Sequence, residues 1–302
     1  MKFKNKKFVC VGEVLWDRLP TGAVPGGATM NVALHLAQLG QEVLFASSVG
    51  DDEAGRKLIE FMKNAGLNVE LIQKTNDLPT SEVIVSLDKF KSPTFNIVEP
   101  VAWDQIELND TIQNAAKGAG FIIYGTLASR NRKTRETIMA LLKYDNLKLL
   151  DINLRSPYGK RDIVEQLIAP ADFVKMNDTE LIEIAVWNNF KSNDLHKLIN
   201  WFSEHYKKNF VCVTRGKDGA MVLEDHQVFE NDGFKVTPVD TVGSGDAFLA
   251  GFISSIINEM STNDALNFAC GLGAYVATKH GATPQLNHKE ITAILNQKPN
   301  LS

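Results

Sequence analysis

Short β-rich runs alternate with longer helical stretches along almost the whole of this chain, and that alternation restricts it to a layered α/β fold. Residues 8–11, Phe-Val-Cys-Val, read as a first buried strand. Residues 28–39 carry helical spacing and stop at Gly40. A strand over 42–48 and a helix over 52–65, closed by Gly66, repeat the unit. Further strands are expected over 121–124, 148–152, 173–176 and 210–214. Helices are expected near 131–144, 161–168, 179–187 and 193–207, with 262–279 and 288–295 finishing the chain. Such an order builds a mostly parallel central sheet with helices against its faces.

Residues 82–88 break the rhythm. Apolar and polar residues alternate there, with Val83, Val85 and Leu87 on one face. The turn-like Lys89-Phe-Lys-Ser-Pro93 follows, and 94–98 resumes strand character. This is the pattern of a half-exposed antiparallel hairpin. With residues 13–24 it could form a small sheet beside the main one. That sheet is either a lid that excludes water from a reaction or an edge hairpin. The lid segments, about 13–25 and 80–104, are assigned to one α/β domain covering 1–302.

A chain of 302 residues with 44% hydrophobic content can bury a full core. A net charge of −4 lacks the basic stripe of a nucleic-acid binder, and the Lys2, Lys4, Lys6, Lys7 cluster is a short solvated stretch. Cys10, Cys212 and Cys270 lie far apart without zinc-ligand spacing. Their odd count, with no signal-peptide pattern, points to the reducing cytoplasm. No run of about eighteen apolar residues is present to span a membrane.

Two glycine-rich turns carry the chemistry. The later one, Asp240-Thr-Val-Gly-Ser-Gly-Asp246, opens an apolar helix. Glycines let successive N–H groups point one way, and a helix N-terminus adds free N–H groups and partial positive charge. The amides at Gly243, Ser244 and Gly245 can stabilise charge on a transferred phosphoryl group. Asp246 at the rim can accept a hydroxyl proton, and its place at a helix N-terminus favours the ionised form; the alternative role is a helix cap. The earlier turn, Pro25-Gly-Gly-Ala-Thr-Met-Asn31, also opens a helix. Gly26 and Gly27 permit close approach of a ligand, and Asn31 offers donors and acceptors suited to vicinal hydroxyls. A tight strand–helix turn is the competing reading. Asp17 adds two acceptor oxygens upstream.

Other phosphate motifs fail. Gly159-Lys160 and Gly216-Lys217 lack the remainder of a Walker A pattern, and Gly243-Ser-Gly lacks the third glycine of a dinucleotide fingerprint. The protein-kinase set is missing. Asp151, Asn153 and Arg155 alternate at a strand's carboxyl end, where ligands bind in an open parallel sheet, and Arg155 could meet phosphate oxygens. Asn177 and Glu180 stand three apart at a strand–helix junction, able either to hold a hydrated magnesium ion or to cap the helix. Val213-Thr-Arg-Gly-Lys-Asp-Gly219 is a strand followed by a hairpin-like turn that could sit under a nucleotide or be a turn only, and the sequence alone favours the turn.

Together these residues resemble the ribokinase/PfkB family of carbohydrate kinases over nearly the whole chain. The order is Asp17, Gly-Gly-x-x-x-Asn at 26–31, Asp-x-Asn-x-Arg at 151–155, Asn-x-x-Glu at 177–180, Thr-x-Gly-x-x-Gly at 214–219 and Asp-Thr-x-Gly-x-Gly-Asp at 240–246. The resemblance implies a ribokinase-like three-layer sandwich with a small β-sheet lid. It implies transfer of the γ-phosphoryl group of ATP, with Mg2+, to a sugar hydroxyl. Asp17, Gly26, Gly27 and Asn31 would hold the sugar, with Asp246 as base and the 243–246 amides as anion hole. Asn177, Thr214, Gly216, Gly219, Gly243, Gly245 and Cys270 would lie along ATP, Cys270 standing where relatives often carry Asn or His. Glu180 and Asn177 would manage magnesium through water. A monovalent cation, K+, would take carbonyls at Asp240, Val242, Val276, Lys279 and Gly281. Glu13-Val-Leu-Trp-Asp17, 268–274 and Gly281-Ala-Thr-Pro284 lean toward the fructokinase branch, hence fructose to fructose 6-phosphate. Ribose, a keto-deoxy sugar acid and a nucleoside are the alternative acceptors; a sugar acid would want a cationic partner, and Lys89 and Lys91 on the lid are expected to face water instead. A non-catalytic sugar-binding regulator and a nicotinamide-dependent dehydrogenase are readings of another class. The lid could pair with a second subunit or remain a monomer's flap.

Overall fold

The computed structural model describes residues 5–19, 22–87 and 93–297. Lys2, Lys4, Lys89 and Lys91 lie outside these residues. Thirteen described strands fall into two sheets. β1 (Phe8–Val11) leads into β2 (Leu15–Leu19), β3 (Gly22–Gly26) and helix α1 (Ala28–Gln38). Then come β4 (Val43–Gly50), α2 (Glu53–Asn64), β5 (Ile72–Thr75), β6 (Ser81–Leu87) and β7 (Pro93–Ile97). The middle of the chain runs α3 (Asp110–Lys117), β8 (Phe121–Gly125), α4 (Arg132–Leu141), β9 (Leu147–Asp151), α5 (Arg161–Ile168), β10 (Phe173–Asn177), α6 (Asp178–Trp187) and α7 (Leu195–Tyr206). It closes with β11 (Phe210–Thr214), β12 (Ala220–Glu224), β13 (Gln227–Asn231), α8 (Ser244–Ile257), α9 (Thr262–Ala277) and α10 (His288–Leu295).

The large sheet has nine strands in the order β13-β12-β11-β10-β9-β8-β1-β4-β5. Every pair from β11 across to β5 is parallel, while β12 and β13 turn back antiparallel at one edge. Side-chain parity divides the core. Phe8, Cys10, Phe45, Ile123, Leu149 and Phe173 face α1, α2, α8 and α9. Val9, Val11, Ile122, Leu150 and Val174 face α3 to α7. Both faces are covered, which is why these strands read as continuous apolar runs. Helix α8 is apolar nearly all round because it is itself enclosed. The three cysteines are free and buried.

The small sheet has the order β3-β2-β6-β7. The β6–β7 pair is the antiparallel hairpin expected from residues 82–98. The structure adds that β2 joins β6 in parallel. Alternation holds where it can be followed, with Val83 buried and Ile84 exposed. The Val85 and Leu87 side chains and the turn at 88–92 lie outside the described residues. After Ile97 the chain re-enters the body, where Val101, Ala102 and Trp103 are fully buried. Strand β5 and helix α3 were not anticipated. The Ile-Gln-Lys-Thr edge strand has one apolar residue, and α3 shows only Ile112 and Ala116 to the core.

A buried guanidinium pins the root of the small sheet. Arg130 donates to both oxygens of Asp104 at 2.8 Å and to the Val98 carbonyl at 3.0 Å. It lies 4.1 Å from the Trp103 ring and 4.7 Å from that of Tyr158, whose hydroxyl donates to the Ile97 carbonyl at 3.0 Å. Removing one partner of such a pair leaves the other charge buried. Arg130→Met should therefore cost about 3 kcal/mol of stability, read as a lower urea midpoint at unchanged slope.

Candidate active site

The strand order reverses around β1, which lies between β8 and β4, and such a switch point opens a crevice at the strands' carboxyl ends. β1 runs out to Glu13, β9 to Asp151, β10 to Asn177 and β11 to Thr214 along this edge. Helices α1 and α8 pack on each other and bring their N-termini to it. There Asn31 Nδ2 donates to Asp246 Oδ2 at 2.8 Å, in a buried bond between residues 215 positions apart. The two glycine-rich turns are thus one place. Asn31 Oδ1 and Ser244 Oγ are buried beside it without a partner among the described residues. Buried polar atoms are almost always satisfied, so these two fit a bound hydroxyl or anion.

Gly243 is the N-cap of α8 at φ 78°. A side chain there would overlap Ala282, so the segment after Gly281 seats directly on the turn. His35 fixes that segment from α1, its Nε2 lying 2.9 Å from the Ala282 carbonyl oxygen. Burial pushes His35 down to about 4, so Nε2 donates from a neutral ring. The Ser244 amide donates to Thr241 O at 3.3 Å. The amides of Gly245 and Asp246 are left free in the first helical turn.

Burial pushes Asp246 up to about 6, against the lowering effect of Lys175, the hydrogen bond from Asn31 and Arg155, while Asp151 raises it further. The helix N-terminus was expected to favour the ionised form; desolvation outweighs it here. The group remains mostly ionised at neutral pH and is a stronger base for the shift. Asp17 is likewise raised to about 6 by burial, eased by Arg155 and reinforced by Asp240. Its carboxylate occupies the space that a side chain on Gly26 would fill. Gly27 caps α1 at φ 119°. The exposed Arg155 faces Glu13, Asp17 and Asp246 at once. Asn153, in the left-handed region at φ 40°, turns the chain that carries it.

Asn177 and Glu180 form a reciprocal capping box, with Asn177 Oδ1 accepting from Glu180 N and Glu180 Oε2 from Asn177 N, both at 2.8 Å. Glu180 Oε1 accepts from Leu154 N at 2.7 Å, tying α6 to the loop after β9. Thr214 ends β11, and Gly216 follows in open space. Gly219, at φ 80°, abuts the backbone of Asn231 to Gly233, so a turn demands it. Cys270 lies in α9, buried among the residues packed on α8. Asp240 draws two loops together, accepting from Val242 N at 3.0 Å and Gly281 N at 3.2 Å. Lys279 N bonds to the Val276 carbonyl at 2.9 Å. Among the described residues no cluster of three His, Cys, Asp or Glu side chains is set to hold a metal ion.

Sequence reasoning passed over Lys175. Its Nζ donates to both oxygens of Asp151 at 2.9 and 3.0 Å, and both side chains are buried. A lysine inside the apolar run Phe173-Val-Lys-Met was the available signal, since a buried cation requires a partner. Glu13 was also missed as a buried group; its carboxylate accepts from the Thr29 amide at 3.3 Å.

Free helix N-terminal amides, a buried carboxylate and an amide side chain bonded to it, all on one sheet edge, are the equipment of a phosphotransferase acting on an alcohol. The chain belongs to the pfkB family of carbohydrate kinases, whose pattern matches residues 20–289. It is 28% identical to a fructokinase of Klebsiella pneumoniae over 95% of this chain and 98% of that one. The fructokinase of Xylella fastidiosa, solved with bound ATP, superposes with a TM-score of 0.82 at 22% identity, covering 96% of this chain and 98% of the other. A double-mutant fructokinase from Vibrio cholerae O395, solved with fructose, ADP and potassium ion, gives 0.81 at 24%, covering 98% and 100%. The shared architecture is the ribokinase-like α/β sandwich. Among the described residues no helix is long and apolar enough to cross a membrane.

The raised Asp246 carboxyl has a linkage consequence. A folded value above the unfolded one favours the folded state fully below about 4, and this advantage is lost as pH rises through about 6. Asp246→Asn removes the buried charge, so its melting temperature should exceed that of the parent above pH 7 and converge with it near pH 4. Gly243→Ala should lower the melting temperature at every pH, because strain and overlap with Ala282 do not titrate.

Proposed function

We propose that this carbohydrate kinase transfers the γ-phosphoryl group of ATP to fructose, giving fructose 6-phosphate. The observation that carries the reading is the buried contact between Asn31 and Asp246, which sets a hydroxyl-binding amide beside a base and an anion cradle. The fructokinase relatives support the choice of sugar. Asp17, Gly26, Gly27 and Asn31 bind its hydroxyls, and Asp246 aligns the one that reacts. As that oxygen attacks the γ-phosphorus and the bond to the β-phosphate oxygen breaks, its proton passes to Asp246. The free amides of Gly245 and Asp246 meet the developing charge, the Ser244 amide being held by Thr241 O, and Arg155 meets phosphate oxygens. The nucleotide lies past Asn177, Thr214 and Gly216, with Gly219 shaping the turn and Cys270 in the helix wall.

Both Glu180 oxygens already accept backbone hydrogens and Asp151 is held by Lys175, so among the described residues there is no all-protein cage for a divalent ion. Asn177 and Glu180 would hold a magnesium ion through water, and the ion would supply charge neutralisation on the phosphate oxygens. The loops joined by Asp240 offer carbonyls at Asp240, Val242, Lys279 and Gly281 to a monovalent cation such as K+, with the Val276 carbonyl, which also accepts from Lys279 N, at the end of α9. The whole chain works as one domain, with the small sheet as a lid over the sugar and a surface for a second subunit. The cytoplasm, where ATP is made available and thiols stay reduced, is its setting.

Turnover with ATP should be highest on fructose among fructose, ribose, a keto-deoxy sugar acid and a nucleoside, with phosphorus NMR placing the new ester on the 6-oxygen. A higher kcat/KM on another acceptor overturns the choice of sugar. Asp246→Asn should lower kcat about 1,000-fold with fructose affinity retained by calorimetry. In the parent enzyme kcat/KM should fall as pH drops below about 6, since the acceptor must be ionised.

A further inference from the structure

We infer that Lys175 is a positioning residue for phosphoryl transfer: locked on Asp151, its ammonium supplies a fixed positive charge beneath the Gly245–Asp246 cradle and holds Asp246 in its proton-accepting form. The inference rests on Asp246 being the base.

Strand register puts Lys175 there. Lys175 of β10 is paired with Asp151 of β9, and Phe173 with Leu149. Phe173 and Leu149 face α8. Two residues on, by the period of a strand, Lys175 and Asp151 face the same side at its N-terminus. Lys175 Nζ lies 3.3 Å from where a side-chain carbon on Gly245 would begin. Asp151 is bonded to the ammonium directly, and the charges of Asp246 and Glu180 act on it from further away. The charges and dipoles facing Asp246 come from every element around it: Lys175 on β10, Asp151 on β9, Arg155 beyond β9 and Asn31 on α1. Arg155 is exposed and therefore screened, whereas the Lys175 side chain is only 8% exposed and acts at a lower effective dielectric. An ion pair in a packed strand contributes little to stability compared with apolar residues of the same size. Its value here is the field at Asp246.

The experiment is the pH dependence of kcat/KM for the full chain and for Lys175→Met, Asp151→Asn and Asp246→Asn, with folding checked by circular dichroism. Lys175→Met should move the acidic limb up by about one pH unit, an approximately tenfold loss at pH 5.5 that shrinks at pH 8. Asp151→Asn should move it down, because a carboxylate facing Asp246 is gone. Equal losses at all pH values in both variants, with the limb unmoved, overturn the inference and leave a packing role. Should Lys175→Met fail to fold, the direction of the Asp151→Asn shift decides, since a packing defect does not lower the limb. Asp246→Asn separates the two readings: full turnover there removes the base itself, whereas an inactive Asp246→Asn beside an unmoved limb removes only the role of Lys175.

Discussion

A carboxylate on a helix N-terminus, buried against the carboxyl edge of a parallel sheet, is the constraint around which this region is arranged. Asp246 must be near the free amides of the first turn of α8, yet burial works against its charge. The surroundings offset that cost by several routes. Asn31 donates a hydrogen bond from α1, Lys175 brings a cation from β10, and Arg155 adds a more distant one. The outcome is a carboxylate raised to about 6, still mostly ionised at neutral pH and more basic than an ordinary aspartate. A more exposed aspartate would be a weaker base, and a more isolated one would be protonated.

The same packing logic explains how the site is held. Gly243 allows Ala282 to press on the turn, and His35 of α1 holds the Ala282 carbonyl. Glu180 closes its own helix and also grips Leu154, so the loop bearing Arg155 is tied to the α6 capping box. The small sheet is joined to the body differently, through the Arg130 guanidinium sandwiched by Trp103 and Tyr158. A rigid hinge under an otherwise half-exposed sheet suits the lid role proposed above. The small sheet contributes Asp17, whose carboxylate fits over Gly26 because no side chain intervenes.

Much of the fold was legible because buried parallel strands and amphipathic helices differ in period and in apolar run length. β1, β11, α5 and α10 stand where the pattern put them. The edge strand β5 and the short α3 escaped because each shows too little apolar surface to make a period. The site was legible where local backbone chemistry wrote it, in the glycine turns at 26–27 and 243–245 and in the Asn177–Glu180 spacing. Even there, only coordinates could distinguish a capping box from a ligand set, because both use the same residues three apart. The charged residue within Phe173-Val-Lys-Met marked a buried cation without naming its partner.

What the sequence alone determined is the layered architecture, the two turns and the chemical kind of each candidate group. These depend on neighbours within a few positions, whose spacing is printed in the chain. Tertiary structure decided which groups meet, Asn31 with Asp246 and Lys175 with Asp151, and which distant charges act on Asp17. It also decided how far burial moves each carboxylate from its ordinary value. Those outcomes depend on strand register and on desolvation by distant segments, neither of which is a property of any short stretch of sequence.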